Sequence, residues 1–204
     1  MPEATERPPA VDKRRAILDA AVRVFARQGY HATRVADIAD EAGVAYGLVY
    51  HYFRSKEAVM TELFTERWSL LLAAGEQVKS GSGTPREKLS AIAGFIIDSY
   101  RHDPELMKVI IIEVTRAANS FGRTHLPEIR QAYDQVAQIV AEAQADGTFR
   151  TEIDADFVGM AYYGAVEQVL SGWVFELKPT SPEEFDAARS MIVDLICGGL
   201  ERRD

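Results

Sequence analysis

At 204 residues, with 47% hydrophobic and 26% charged residues, the chain has the composition of a folded protein and not of a disordered one. No run approaches the roughly 18 uninterrupted apolar residues of a membrane span, the opening MPEATERPP lacks an apolar signal core, and Cys197 alone excludes an intrachain disulfide or a multi-cysteine metal site, so a cytoplasmic protein with no membrane attachment is expected. The net charge of −8 is unevenly spread: residues 1–60 carry nine Lys/Arg against eight Asp/Glu, the remainder 14 against 23, and only the first segment would not repel phosphates as a block.

Residues 1–11, with Pro2, Pro8 and Pro9, read as a flexible arm. A first helix is predicted from about Asp12 to Gln28, with Ile17, Ala20, Ala21, Val24 and Phe25 in one stripe and Gly29 as its stop. Thr33 then caps a short amphipathic helix through Val35, Ile38, Ala39 and Ala42; Gly43 ends it, and Val44 opens a second short helix through about Tyr52. Two short helices across a three- or four-residue turn containing Gly form the helix-turn-helix signature. Val44, Val49 and Phe53 would hold the second helix on its supports, leaving Tyr46, Gly47, Tyr50 and His51 outward. An aromatic-rich helix buried against other helices is the alternative.

Longer helices are predicted near 56–78, 85–102, 104–118, 127–146, 154–176 and 182–201. Thr84-Pro85-Arg86-Glu87 and Ser181-Pro182-Glu183-Glu184 each place a hydroxyl at the N-cap, Pro at the first helical position and Glu at the third, a capping box. Asp103 and Asp154 are further caps. There is no alternating strand pattern and no internal repeat, and Ser80–Gly83 is a short linker. The fold class is all-α, with about nine helices.

The stretch GVAYGLVYHYFRSKEAV at 43–59 is similar to the recognition helix and following linker of the TetR family, and IADEAG before it and AAVRVFARQGYHATRV earlier match as well. The resemblance is specific over residues 12–62. It implies a one-component transcriptional repressor: a homodimer on a palindromic double-stranded DNA operator, with half-sites about 34 Å apart, released by a small hydrophobic effector. No cofactor, metal or catalytic residue is implied. The implied organisation is an arm at 1–11, a three-helix helix-turn-helix domain at 12–55, and a larger helical ligand-binding and dimerisation domain at 56–204.

Residue by residue, the resemblance sends Thr33 and Arg34 to phosphate and Tyr46 and Gly47 into the major groove. Tyr50, His51 and Tyr52 would line the sugar-phosphate wall, and Lys56, with the N-terminus of its helix, would make a further phosphate contact. Two positions depart from the family's commonest pattern: Tyr46 replaces a basic or amide side chain, and Leu48 a threonine. Both weaken bidentate base readout, so apolar contact and shape readout are expected here. Arg14 and Arg15 stay open between a phosphate or minor-groove path and an ordinary solvated helix start.

In the body, the 154–176 segment is apolar nearly all round. Its small face of Ala161, Gly164, Ala165, Gln168 and Gly172, flanked by Phe157 and Phe175, is assigned with Met191, Ile192, Leu195 and Gly199 to a two-fold helix bundle, as in TetR-like proteins; intrachain packing explains the same pattern. An apolar ligand cavity is expected among Ile96, Tyr100, Ile110, Val114, Phe121, Tyr133, Val140, Tyr162, Tyr163, Val166 and Trp173. Glu113 and Glu167 fall within apolar stripes, as ligand contacts or as structural salt bridges.

The chain from Glu113 through WVFEL at 173–177 resembles TetR-type regulators of fatty-acid degradation, whose effectors are long-chain acyl thioesters of coenzyme A. Arg101, Lys108, Arg116, Arg123 and Arg130 would then meet an anionic head group; exposed helix charges are the alternative. An enzyme and a helical protein-interaction scaffold are the rival classes. The chain carries no P-loop, HExxH or GxSxG, and His31, His51, His102 and His125 show no metal-ligand spacing.

Overall fold

The computed structural model describes residues 10–112 and 124–201. Among these are nine α-helices: α1 (Ala10–Gln28), α2 (Val35–Ala42), α3 (Tyr46–Tyr52), α4 (Lys56–Ser80), α5 (Pro85–His102), α6 (Pro104–Ile110), α7 (Leu126–Ala145), α8 (Ala155–Val174) and α9 (Pro182–Leu200). The described residues contain no β-strand, and one isolated antiparallel bridge pairs Phe149 with Glu201. No helix among them is long and apolar enough to cross a membrane. The chain divides into two compact units, 1–66 and 67–204, with the division inside α4.

The first unit is built on the α1 stripe. Ile17, Ala20, Ala21, Val24 and Phe25 are all buried, together with Ile38 and Ala39 of α2, Val49 of α3 and Phe53 after it. The α2–α3 turn depends on Gly43, whose φ of 65° is left-handed and costs a Cβ-bearing residue strain. Around it the Val44 N–H reaches back to the Ala39 carbonyl at 3.0 Å and the Gly43 N–H to Asp40 at 3.1 Å, closing the helix end in a Schellman-type motif.

The second unit packs α7 against α8 at close range. A Cβ on Gly159 would stand 2.7 Å from the Tyr133 carbonyl oxygen, so only glycine allows that approach. Gly75 of α4 likewise leaves room for the Gln135 side chain of α7, whose amide donates to the Leu72 carbonyl at 2.9 Å. Tyr162, fully buried, donates its hydroxyl to the Leu89 carbonyl and joins α8 to α5. Arg86 at the start of α5 forks between Asp194 of α9 and Glu201 beyond it.

Most helix ends fall within two residues of the sequence expectation, and three differ for visible reasons. The N-cap of α2 is Arg34, not Thr33: the Thr33 hydroxyl turns inward to the Gly29 carbonyl at 2.8 Å, while Asp37 accepts the Arg34 N–H at 2.7 Å. Thr84 and Glu87 form the expected reciprocal box. At Ser181 only half of it forms, because Glu184 gives its carboxylate to Lys178 at 3.1 Å. Finally, α6 ends at Ile110 and the backbone widens into a π-type turn at 111–112, a feature that recurs beside functional sites.

Candidate DNA-binding surface and effector cavity

The seven residues of α3 are held from below by Val49 and displayed above. Tyr46 is 53% exposed and Tyr50 is 43% exposed; Gly47 and His51 are exposed as well, while Leu48 and Tyr52 are half-buried. One turn apart, Tyr46 and Tyr50 form a pair: the rings meet edge-on at 5.1 Å and the Tyr46 hydroxyl donates to Tyr50 at 3.1 Å. That bond, with desolvation, raises the Tyr50 phenol above its ordinary value, so the pair presents hydroxyls and ring faces but no charge. Gly47 has nothing within 4 Å of a built Cβ, so its missing side chain serves no internal packing.

The cations of this unit sort into two sets. Glu41 binds both Arg23 (2.7 Å) and Arg27 (3.1 Å), which pull its carboxyl below the usual range. Arg14 pairs with Glu62 and Glu66, and Arg15 with Asp19 and Glu66, which favours the structural side of the alternative left open for both. Lys13, Arg34 and Arg54 have no ion pair among the described residues, and Arg34 and Arg54 are exposed.

Two expected phosphate contacts require correction. Thr33 is 2% exposed and its hydroxyl is spent on Gly29. The Lys56 ammonium donates to the carbonyls of Tyr30 (2.7 Å), Thr33 (2.8 Å) and His31 (3.4 Å), and sits 4.3 Å from the centre of the Tyr30 ring. Its three donors are thus committed to the α1–α2 connection. Arg54, just past α3, is exposed with no ion pair among the described residues, which the sequence does not reveal because it does not show which neighbouring cations are already paired.

In the second unit a cavity of about 70 Å³ lies between five helices. α4 contributes Arg67, Trp68 and Leu71; α5 contributes Phe95, Ile96 and Ser99; Met107, Ile110 and Ile111 come from α6 and the turn after it. Tyr133 of α7 and Tyr163, Val166, Glu167 and Leu170 of α8 complete the wall. Burial pushes both cavity phenols up, Tyr163 the further of the two. Ser99 satisfies itself on the Phe95 carbonyl at 2.6 Å, and Trp68 ties α4 to α7 through the Glu128 carbonyl at 2.9 Å.

Of the residues expected to line a cavity, Ile96, Ile110, Tyr133, Tyr163, Val166 and Glu167 do, while Tyr162 is instead buried with its hydroxyl on the Leu89 carbonyl. Tyr100 and Trp173 instead stack with each other at 5.4 Å and with Phe185 of α9, in a separate aromatic cluster; Val140 is fully buried in packing away from the cavity. Glu113, Val114 and Phe121 lie outside the described residues, as do Arg116 and Arg123. The α4 contribution of Arg67, Trp68 and Leu71 escaped the sequence reading, since no spacing within α4 marks which residues meet helices far along the chain.

The outer side of α8 and α9 is apolar and uncovered within the chain. Phe157 is 60% exposed, Met160 54%, Met191 54% and Leu195 72%; Gly164, Gln168 and Phe175 are exposed, and Ala161, Ala165 and Gly199 half-buried. Two expected members face inward. Gly172 is buried beneath Lys178, and Ile192 is 4% exposed in the core.

A short aromatic helix set off by a glycine turn on one unit, and an apolar cavity in the other, define a ligand-responsive DNA-binding regulator of the helix-turn-helix class. Residues 17–63 match the bacterial regulatory proteins of the tetR family, and residues 85–196 the tetracyclin repressor-like C-terminal domain. The chain belongs to the TetR family of transcriptional regulators. It is similar to the fatty acid metabolism regulator protein of Bacillus subtilis (strain 168), 27% identical over 190 residues, covering 92% of this chain and 95% of that one. To the HTH-type transcriptional repressor KstR2 of Rhodococcus jostii (strain RHA1) it is 30% identical over 156 residues, 73% of this chain and 76% of the relative. In fold it is similar to the transcriptional regulator FadR from Bacillus subtilis in complex with stearoyl-CoA, at a TM-score of 0.80 and 24% identity, covering 91% of this chain and 98% of that one.

Proposed function

We propose that this regulator is a cytoplasmic homodimeric repressor, not an enzyme, in which residues 12–55 bind a palindromic operator and 56–204 bind effector and partner. Tyr46, Gly47 and Leu48 enter the major groove; Tyr50, His51 and Tyr52 lie along its wall; Arg34 and Arg54 meet phosphates. The exposed apolar face of α8 and α9 is the two-fold interface. An apolar area of this kind on a protein surface marks an association site, and a lone recognition helix covers only one half-site.

The effector is proposed to be a long-chain acyl thioester of coenzyme A. The observation that carries this is the apolar cavity with α4 in its wall. The stearoyl-CoA complex of the similarly folded FadR and the fatty-acid role named for the Bacillus relative point the same way. Arg101, Lys108 and Arg130, without ion pairs among the described residues, are free for an anionic head group. At about 70 Å³ the cavity is well below the roughly 300–1,000 Å³ of a ligand pocket, so a long chain must part the helices to enter. α4 runs unbroken from Lys56, so strain on its wall residues reaches the end that follows α3. A coupling of about 1–3 kcal/mol would weaken operator binding roughly 5- to 150-fold. A thermal-shift screen of palmitoyl- and oleoyl-coenzyme A beside uncharged drugs and flavonoids tests the effector; no shift with any acyl thioester overturns it.

A further inference from the structure

Among the described residues of the cavity wall Arg67 is the one cation, and it is held there at a disadvantage. It is half-buried, its guanidinium carbon lies 5.5 Å from the centre of the Phe95 ring, and no hydrogen bond or ion pair holds it among the described residues. Burial pushes its ionisation down from the ordinary arginine value, and the charge of Asp103 only partly opposes this. A guanidinium does not shed its proton at physiological pH, so it cannot relieve the burial by becoming neutral. What relieves it is an oxygen acceptor. Among the described lining, Ser99 donates elsewhere, and Trp68, Leu71, Phe95 and Ile96 beside Arg67 on α4 and α5 are apolar; the oxygen-bearing side chains Tyr133, Tyr163 and Glu167 stand on α7 and α8, and none of them is a hydrogen-bond or ion-pair partner of Arg67.

We infer that Arg67 is the polar anchor of the cavity: its guanidinium takes an oxygen acceptor, carboxylate or thioester carbonyl, at the head of an otherwise apolar chain. This rests on the acyl reading above and deepens it, because it fixes which end of the ligand lies against α4. A free fatty acid and an acyl thioester share the chemistry of an oxygen acceptor on a long alkyl chain, and they differ in charge at that acceptor. The same geometry sets a stability signature. An unpaired, half-buried charge that waits for a ligand destabilises the empty protein, so an apolar isostere should stabilise the empty form and weaken the filled one.

The test is isothermal titration of the full chain with palmitate, palmitoyl-coenzyme A and hexadecane, for wild type, Arg67→Met and Arg67→Lys, with melting temperatures of the empty proteins. Wild type should prefer an acceptor-bearing ligand to hexadecane, which carries no oxygen. Arg67→Met should lose roughly ten- to a hundredfold in affinity for that ligand, the scale of one charge-assisted hydrogen bond, keep its hexadecane affinity, and melt higher when empty. Arg67→Lys should fall between. A loss seen with palmitate assigns a carboxylate, and a loss confined to palmitoyl-coenzyme A assigns the thioester. Equal affinities in wild type and Arg67→Met, or a lower melting temperature for the empty variant, overturn the anchor while leaving the acyl reading in place. Silence of the wild type toward both acyl ligands removes the acyl reading and the anchor with it.

Discussion

The two units meet their partners in opposite ways. In 1–66 the groups proposed to meet DNA stand outside the packing: Tyr46, Gly47 and Tyr50 project from α3, while Arg23 and Arg27 are tied to Glu41 and Lys56 to three carbonyls. In 67–204 the groups proposed to meet a ligand are part of the packing, and Trp68 both lines the cavity and hydrogen-bonds the backbone of α7. Recognition and stability are therefore separable on the surface of the first unit and entangled in the interior of the second. In the proposed function a ligand shifts DNA affinity only by binding one arrangement of these packed helices better than another.

Four substitutions probe this contrast. Trp173→Ala empties an aromatic site in the second unit beside Tyr100 and Phe185, and should cost about 3–5 kcal/mol in denaturant unfolding. A selective loss of ligand with unchanged stability would return Trp173 to the cavity and break the contrast. Lys56→Ala removes three hydrogen bonds inside the first unit and should cost about 2 kcal/mol. Its residual DNA binding should keep the wild-type salt dependence; a shallower dependence would restore Lys56 to phosphate. Gly47→Ala should do the reverse of a packing defect. With open space around the new methyl, the helix gains about 0.5–1 kcal/mol, yet operator affinity should drop roughly tenfold, the scale of one lost base contact. A thermal melt and an anisotropy titration of the same preparation check both signs. The smallest effect belongs to Arg54→Ala, which should leave unfolding unchanged and reduce the slope of log affinity against log salt by about one.

Legibility followed distance along the chain. The helix-turn-helix lies within Thr33–Lys56, so capping, glycine punctuation and apolar spacing sufficed to place α2, the Gly43 turn and α3. Even there, Thr33 and Lys56 were misjudged, because hydroxyls and ammonium groups look equally available in sequence and only the fold shows a carbonyl waiting for each. The cavity was half legible. Tyr133, Tyr163 and Glu167 could be picked from their helical stripes, but its α4 wall joins residues some 60 to 100 positions apart, and no local period records that meeting. The aromatic cluster of Tyr100, Trp173 and Phe185 was mistaken for lining since large buried rings fill cores and cavities alike.

The most direct test of the central claim measures binding to the protein's own upstream DNA and to unrelated duplex over a range of salt, for wild type and for Tyr46→Ala with Tyr50→Ala. The account predicts that affinity falls steeply with salt for both proteins, with equal slopes because no charge is removed. It predicts too that the doubly substituted protein loses the preference for upstream DNA. Retention of that preference, or wild-type binding indifferent to salt, would contradict it.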